Sequence, residues 1–154
     1  MPDISYYMSD YGSYHKTKGN MITHCFGIPI IVISIMGLLM KPWAQEISLL
    51  GLFKIEVNIA LILWFVVSLF YIYLHRVLGA TMIVSMALMY FIGGLLPVPA
   101  LWTLFVVGWI IQFIGHLKYE GNSPAFYKNG LHLLIGPMYI QNYLLKIYKV
   151  PAKV

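Results

Sequence analysis

Residues 57–96 read VNIALILWFVVSLFYIYLHRVLGATMIVSMALMYFIGGLL, in which two apolar runs are joined by only His75, Arg76 and Val77. Each run is long enough to cross a hydrocarbon core of about 30 Å as an α-helix. Because the connection is so short, the two helices must return antiparallel as a hairpin. This stretch predicts an integral membrane protein built from helices.

The composition of the whole chain supports this class. Of the 154 residues, 60% are hydrophobic and 10% are charged, and the mean hydropathy is +0.80, far from the average soluble domain. The net charge of +5 comes from singly scattered lysines and one arginine, so we expect no nucleic-acid partner. The one cysteine, Cys25, is expected to be a small buried apolar residue. The first residues lack an apolar run and a cleavage site, so no signal peptide is expected.

Four apolar runs are candidates for transmembrane helices, at residues 21–40, 57–74, 78–96 and 101–115. Lys41-Pro42 follows the first run, and Pro97-Val98-Pro99 separates the third run from the fourth, so proline ends or interrupts the helical pattern at both places. We therefore predict an all-α fold, an integral membrane bundle of four transmembrane helices.

The C-terminal segment, residues 131–148, is apolar again after a polar loop. Gly136-Pro137 interrupts it and is expected to split it into two short helical pieces. This broken helical segment is re-entrant, interfacial or a fifth span. With no internal repeat or linker in the sequence, residues 1–154 are predicted to form a single domain.

The positive charges distinguish between these topologies. With four spans, eight of the ten lysine and arginine residues share the side that holds both termini, and only Lys41 and Lys54 lie opposite. A fifth span would divide them five against five. Since positive residues concentrate in cytoplasmic loops, we predict four spans with both termini cytoplasmic.

Four of the five histidines then fall in the cytoplasmic leaflet, at or near the ends of spans: His15, His24, His75 and His116. Ionisable side chains are costly at membrane depth and tend to be functional there. Facing helices of a bundle commonly build metal sites from such ends. A lone interfacial histidine is more often an amphipathic anchor, but four on one leaflet favour a metal site.

Several polar residues are spaced to assist these histidines. His116 and Glu120 are four residues apart and share a face if the helix continues, so they could bind one metal ion or each other. Glu120 could instead pair with a neighbouring lysine. Asn20 and His24 have the same spacing, and Gln112 lies one turn before His116, where it could orient that ring.

The remaining candidates depend on how the chain bends. His15 and His24 are nine residues apart and can share a site only if the chain turns near Gly19. His132 could join the site or cap a helix, and the spacing does not decide between these roles. Tyr14 is a candidate because it adjoins His15.

Two stretches together resemble a known family. Residues 14–29, YHKTKGNMITHCFGIP, resemble its N-terminal signature, and residues 109–137, WIIQFIGHLKYEGNSPAFYKNGLHLLIGP, resemble its second one. The family is that of the membrane dioxygenases typified by the yeast endoplasmic-reticulum enzyme of phytosphingosine breakdown, which shortens 2-hydroxy fatty acids by one carbon. The signatures cover about a third of the chain.

The resemblance implies an iron(II)-dependent α-oxidation of a 2-hydroxy fatty acid by O2. It places the family's histidines at His15, His24 and His116 and its acidic residue at Glu120, and it ranks His75 and His132 below them. It also implies a short, bacterial-type member in the inner membrane, with the endoplasmic reticulum as the location in a eukaryote. The substrate's chain length and the formation of a homo-oligomer stay open.

Other functions are also compatible with a histidine-rich membrane bundle. The main alternative is a non-enzymatic haem-binding or lipid-binding protein with histidine ligands. A structural or transport bundle without metal is a third. Motifs of zinc proteases, serine hydrolases, CxxC oxidoreductases and phosphate-binding loops do not occur in the sequence.

Overall fold

The structure is a computed structural model that describes residues 3–41, 44–49 and 53–149. Within these ranges it contains six α-helices, a two-stranded antiparallel sheet, a π-helical turn and a 3-10 turn. In chain order they are α1 (Ile4–Ser13), α2 (Lys18–Met40), β1 (Ala44–Leu49), β2 (Phe53–Asn58), α3 (Ile59–Leu74), α4 (Arg76–Leu95), α5 (Val98–Ile114), the π-helix (Gly115–Glu120), the 3-10 turn (Ala125–Tyr127) and α6 (His132–Leu145).

Three helical segments in the described ranges are long and apolar enough to cross a membrane: α2, α4, and α5 with its π-helical continuation. Large apolar side chains such as Phe65, Val84 and Phe91 are each more than 60% exposed on the outside of the bundle, as expected for surfaces that face lipid rather than water. The predicted helical membrane class is therefore confirmed. Helix α3 has 16 residues, about 24 Å at 1.5 Å per residue, and the count of four spans stays a prediction.

The predicted hairpin between the second and third apolar runs is present. Helix α3 ends at Leu74 and α4 begins at Arg76, so His75 alone forms the turn. The Nδ1 atom of His75 accepts a hydrogen bond of 3.1 Å from the Leu78 backbone N–H and so caps α4. The role of this histidine in the fold is therefore to begin a helix.

Helix α2 occupies the centre of the bundle. It packs against α3, α4, α6 and the π-helix, and most extensively against α5. At Gly37 and Gly93 the backbones of α2 and α4 touch: a Cβ atom on Gly93 would lie 2.6 Å from the Ile33 carbonyl oxygen. Small residues permit this close approach in membrane bundles.

The N-terminal helix α1 is not among the predicted elements. Its apolar residues Ile4, Tyr7, Met8 and Tyr11 follow helical spacing and are buried, and the Asp3 side chain caps it by accepting from the Tyr6 backbone N–H. Helix α1 packs against α6. The β1–β2 hairpin, which follows α2, was not predicted either. Pro42, which was predicted to end the first helix, lies outside the described residues.

The predicted break in the C-terminal segment is wrong, because α6 runs unbroken from His132 to Leu145. Proline removes only one N–H from the helix, and neighbouring helices in a bundle can compensate for it. The Gly136-Pro137 pair packs against α1 and α2: a Cβ on Gly136 would lie 3.0 Å from the Tyr11 hydroxyl. The 14 residues of α6 span about 21 Å.

Candidate metal centre

Three of the predicted histidines lie together near one end of the bundle. The ring centroids of His15, His24 and His116 are 4.5 to 4.9 Å apart, and each residue is at most 5% exposed. One nitrogen from each ring can be chosen so that all three lie within 4.8 Å of one another. Such a group could hold a metal ion.

Three separate elements supply these rings. His15 lies in the turn between α1 and α2, His24 is in the second turn of α2, and His116 is in the π-helix that extends α5. The bend that brings His15 back to His24 was expected near Gly19. It occurs instead before α2, whose N-cap is Thr17, while Gly19 lies inside the helix with its Cα hydrogens against the Tyr119 ring.

The orientation of two rings is fixed by backbone carbonyls. The Nδ1 atom of His15 donates to the Tyr11 carbonyl at 2.7 Å, and that of His24 donates to the Asn20 carbonyl at 2.9 Å. Since a carbonyl can only accept, each Nδ1 must hold the hydrogen, which leaves the lone pair of each neutral ring on Nε2. The two Nε2 atoms face each other at 3.1 Å. Metal-ligating histidines usually have this arrangement, with the distal N–H bound to a carbonyl.

Burial favours the neutral form of His15. Loss of hydration lowers the pKa of His15 to about 4, opposed in part by its hydrogen bond to the Tyr11 carbonyl. The Tyr11 ring stacks on the His15 ring at a centroid distance of 4.0 Å, and burial raises the pKa of the Tyr11 phenol. Neutral imidazole is the form that binds a metal ion.

His116 is the least restrained of the three. Its Nδ1 atom is buried and has no hydrogen-bond partner among the described residues. Gln112 is buried one turn earlier, but its Nε2 atom is likewise unpaired within the described chain, and no hydrogen bond joins the two side chains. The predicted orienting contact is therefore not formed here. A π-helical turn at this point is typical of functional sites.

Glu120 lies outside the group of three histidines. Its Oε1 atom accepts hydrogen bonds from the backbone N–H groups of Lys16 and Thr17, both at 2.7 Å, from the Thr17 hydroxyl at 2.9 Å and from the Asn20 amide at 3.3 Å. These bonds tie the end of the π-helix to the turn that holds His15. The structure thus brings the side chains of Glu120 and Asn20 into contact beside the histidine group, and of the two only Asn20 bonds to a ring, through its backbone carbonyl on His24.

The contact between the π-helix and α2 also requires a glycine. A Cβ atom on Gly115 would collide with the Thr23 hydroxyl and with the Asn20 side chain. Gly115 directly precedes His116, so the close approach of its backbone to α2 determines where that ring lies. The sequence shows the Gly-His pair but not this contact.

The other two histidines occupy different positions. His132 is buried, lines the same cavity as the three rings and binds Asp10 Oδ2 through Nε2 at 2.8 Å. The Tyr14 ring stands edge-on to His132 at 5.6 Å. His75 caps α4, contacts the Tyr148 ring and does not belong to the group of three.

Asp10 and Tyr11 are the site neighbours that the sequence analysis missed. Tyr11 supplies the carbonyl for His15 and the ring that stacks on it, and Asp10 binds His132. The helical spacing of apolar residues in α1 is the signal that could have found them.

A cavity of about 160 Å³ adjoins the three histidines. One wall is formed by Ile28, Ile31, Val32 and Ile35 of α2, and side chains of α5 and α6 complete it. From His24 to Ile35 this wall extends about 16 Å along the helix. The site therefore joins a buried cluster of imidazoles to an apolar chamber between helices.

A family model described as "Mpo1-like: 2-hydroxy-palmitic acid dioxygenase Mpo1-like" matches residues 1–147. Comparisons with curated proteins and with solved structures found no significant match. The matched range includes the three clustered histidines and the whole wall of the cavity.

Proposed function

The chain belongs to the Mpo1-like family, described as 2-hydroxy-palmitic acid dioxygenase Mpo1-like, and we propose that it uses O2 to shorten 2-hydroxy fatty acids by one carbon at an iron(II) site formed by His15, His24 and His116. The observation that supports this most is the pair of Nε2 lone pairs of His15 and His24, which face each other at 3.1 Å. Two such atoms repel each other unless a proton or a cation lies between them.

Iron fits both the donor set and the reaction class. Imidazole nitrogens bind zinc, copper, iron and nickel, but zinc has no redox chemistry, and the family is described as a dioxygenase. Three protein ligands leave positions open on the ion. Bound there, iron(II) would supply O2 activation and a site at which the carboxylate and hydroxyl of a 2-hydroxy acid can chelate.

The cavity supports a fatty acid as the substrate. The walls from Ile28 to Ile35 are aliphatic and begin one helical turn beyond His24, so an acyl chain can lie along α2 while its head group stays at the histidines. Because these aliphatic side chains are as apolar as the lipid tails that surround an acyl chain in the bilayer, the chain can enter the cavity without exposing its methylenes to water. Lys16 and Lys18 are close to the site in sequence and would favour an anionic head group.

Glu120 is proposed to be a positioning residue. It contacts the turn before α2 rather than the rings, and by accepting from Lys16 and Thr17 it holds the backbone next to His15. Asn20 has two contacts of this kind. Its backbone carbonyl accepts a hydrogen bond from His24 Nδ1, and its side-chain amide donates one to Glu120. Gln112 and Tyr14 line or flank the site and remain secondary candidates.

We further propose four spans, with α3 crossing together with α4 as a hairpin and both termini in the cytoplasm. The distribution of positive charge, eight residues against two, supports this orientation. The histidines then lie at the cytoplasmic leaflet of a bacterial inner membrane, where the head group of a membrane-borne fatty acid would meet them. Helix α6 is proposed to lie in the interface rather than to cross the bilayer.

The haem alternative is less compatible with the geometry. Axial histidines lie on opposite faces of the macrocycle, which must fit between their rings. Here the rings of His15 and His24 contact each other directly, and His116 contacts both.

Product analysis tests the proposed reaction. Protein purified in detergent and supplied with iron(II) and 2-hydroxyhexadecanoic acid should yield an acid one carbon shorter in air and none under argon. The His24→Ala variant should yield none in either gas. Formation of the shorter acid by metal-free protein would overturn the proposal.

A further inference from the structure

His132 is a second polar feature of the cavity, separate from the three clustered histidines. It lies at the first residue of α6, it is 5% exposed, and its ring forms part of the cavity wall. The Tyr11 ring contacts both groups, since it stacks on the His15 ring at 4.0 Å and stands edge-on to the His132 ring at 5.6 Å. His132 does not belong to the three-histidine group that is proposed to bind iron.

Asp10 determines which nitrogen of His132 holds the hydrogen. The 2.8 Å contact joins His132 Nε2 to a carboxylate oxygen of Asp10, and an ionised carboxylate can only accept. Nε2 is therefore the donor, and in the neutral ring Nδ1 is a bare acceptor. That atom is buried and unpaired within the described ranges.

Other groups that face His132 do not alter this assignment. The Tyr11 and Tyr14 rings approach it edge-on, each at 5.6 Å. The Nζ atom of Lys128 lies 5.6 Å from the centre of the Tyr14 ring. Among the residues that the structure describes, the ring of His132 therefore forms one hydrogen bond, to the carboxylate of Asp10, and its Nδ1 atom forms none.

A 2-hydroxy carboxylate contains one donor, its hydroxyl group, since the ionised acid group only accepts. We propose that His132, oriented by Asp10, accepts a hydrogen bond from the 2-hydroxyl of the bound acid and so selects 2-hydroxy acids over unsubstituted ones. This inference rests on the proposed function, because it assumes that the acid binds in the cavity beside the three histidines.

The selectivity would have a clear physical cause. An unsubstituted acid in the same cavity leaves the buried Nδ1 acceptor unpaired after excluding water from it. Sites built to bond a substrate hydroxyl reject analogues that lack it, because their polar groups are then left unsatisfied. When the 2-hydroxyl is present, its hydrogen bond to Nδ1 adds to the binding free energy of the acid.

Binding selectivity tests this role without turnover. The affinities of 2-hydroxyhexadecanoic and hexadecanoic acids are measured calorimetrically under argon, on detergent-purified protein with its metal content determined. In His132→Phe, which keeps a flat ring but has no acceptor, the preference for the hydroxylated acid should fall about tenfold, the value of one net hydrogen bond, with the metal content unchanged.

A second variant keeps the ring itself. Asp10→Asn leaves His132 in place but can shift its hydrogen to Nδ1, as loss of an orienting carboxylate does in catalytic triads. Asp10→Asn should therefore also lower the preference for the hydroxylated acid. The matched control is Asp3→Asn, which makes the same charge change on α1 at a residue that only caps the helix, and it should leave the preference unchanged.

The outcomes separate this inference from the proposed function. If the preference for the hydroxylated acid survives both His132→Phe and Asp10→Asn, the inference is wrong. The Asp10–His132 hydrogen bond would then only hold α1 against α6. Wild-type protein that binds both acids equally would overturn the inference as well. Wild-type protein that binds iron but neither acid would overturn the proposed function itself.

Discussion

The Nε2 atoms of His15 and His24 lie 3.1 Å apart, and the Nδ1 atom of each ring donates to a backbone carbonyl. In metal-free protein this brings two lone pairs together in a buried place, at a cost in free energy that a bound cation would remove. The free energy of unfolding should therefore be much larger when a metal ion is bound than when it is removed.

Metal removal should lower the thermal stability of the protein. At a free metal concentration a hundred times the Kd, binding stabilises the folded state by about 2.7 kcal/mol. Thermal unfolding in detergent, with and without a chelator, measures the difference. The same comparison on His24→Ala should show almost no shift, and an equal shift in that variant would mean that the metal binds elsewhere.

Glu120→Gln should weaken metal binding although Glu120 does not contact the rings. The substitution replaces a charged acceptor that binds two backbone N–H groups and Thr17, at a cost of about 1 to 3 kcal/mol. The turn next to His15 should loosen, and the Kd for iron(II) should rise. In Asp3→Asn, which also loses a carboxylate that caps a helix, stability should fall slightly and the Kd should not change.

Gly115→Ala should disturb His116 selectively. The new methyl group would collide with Thr23 and Asn20, and overpacking of this kind costs about 1 to 3 kcal/mol. Chemical denaturation and the iron content of the purified variant measure the effect. Gly130→Ala is the matched control, since nothing lies within 4 Å of a Cβ there; a similar loss in that variant would refute the steric explanation.

Filling the cavity should separate substrate binding from metal binding. Ile31 lines the chamber and is 9% exposed, so Ile31→Trp should block the acyl chain and raise the Kd for 2-hydroxyhexadecanoic acid while iron content stays unchanged. Ile110→Trp, at a position 52% exposed on α5, should bind the acid normally. Normal binding by Ile31→Trp would show that the acyl chain lies elsewhere.

The sequence predicts the helices better than it predicts their contacts. The apolar runs around His75 predict the α3–α4 hairpin because its connection leaves no other arrangement. The prediction at Gly136-Pro137 fails because packing of α6 on Tyr11 and Ile28 outweighs the lost N–H of one proline. Helix α1 is missed because its four apolar residues lie among polar ones in a segment too short to span a membrane.

For the site, sequence spacing indicates which residues matter but not how they are paired. His116 and Glu120 have the spacing of residues on one face, but Glu120 binds the turn at Lys16 and Thr17. That turn comes from a distant part of the chain, so local periodicity has no information about it. The same holds for Asp10 and His132, which are 122 residues apart.

The metal content of purified protein tests the central claim most directly. Wild-type protein and His75→Ala, which alters a histidine outside the group of three, should each contain about one iron per chain, and His116→Ala should contain almost none. Equal iron content in His116→Ala and His75→Ala, or wild-type protein without any bound transition metal after growth in iron, would contradict a metal site at His15, His24 and His116.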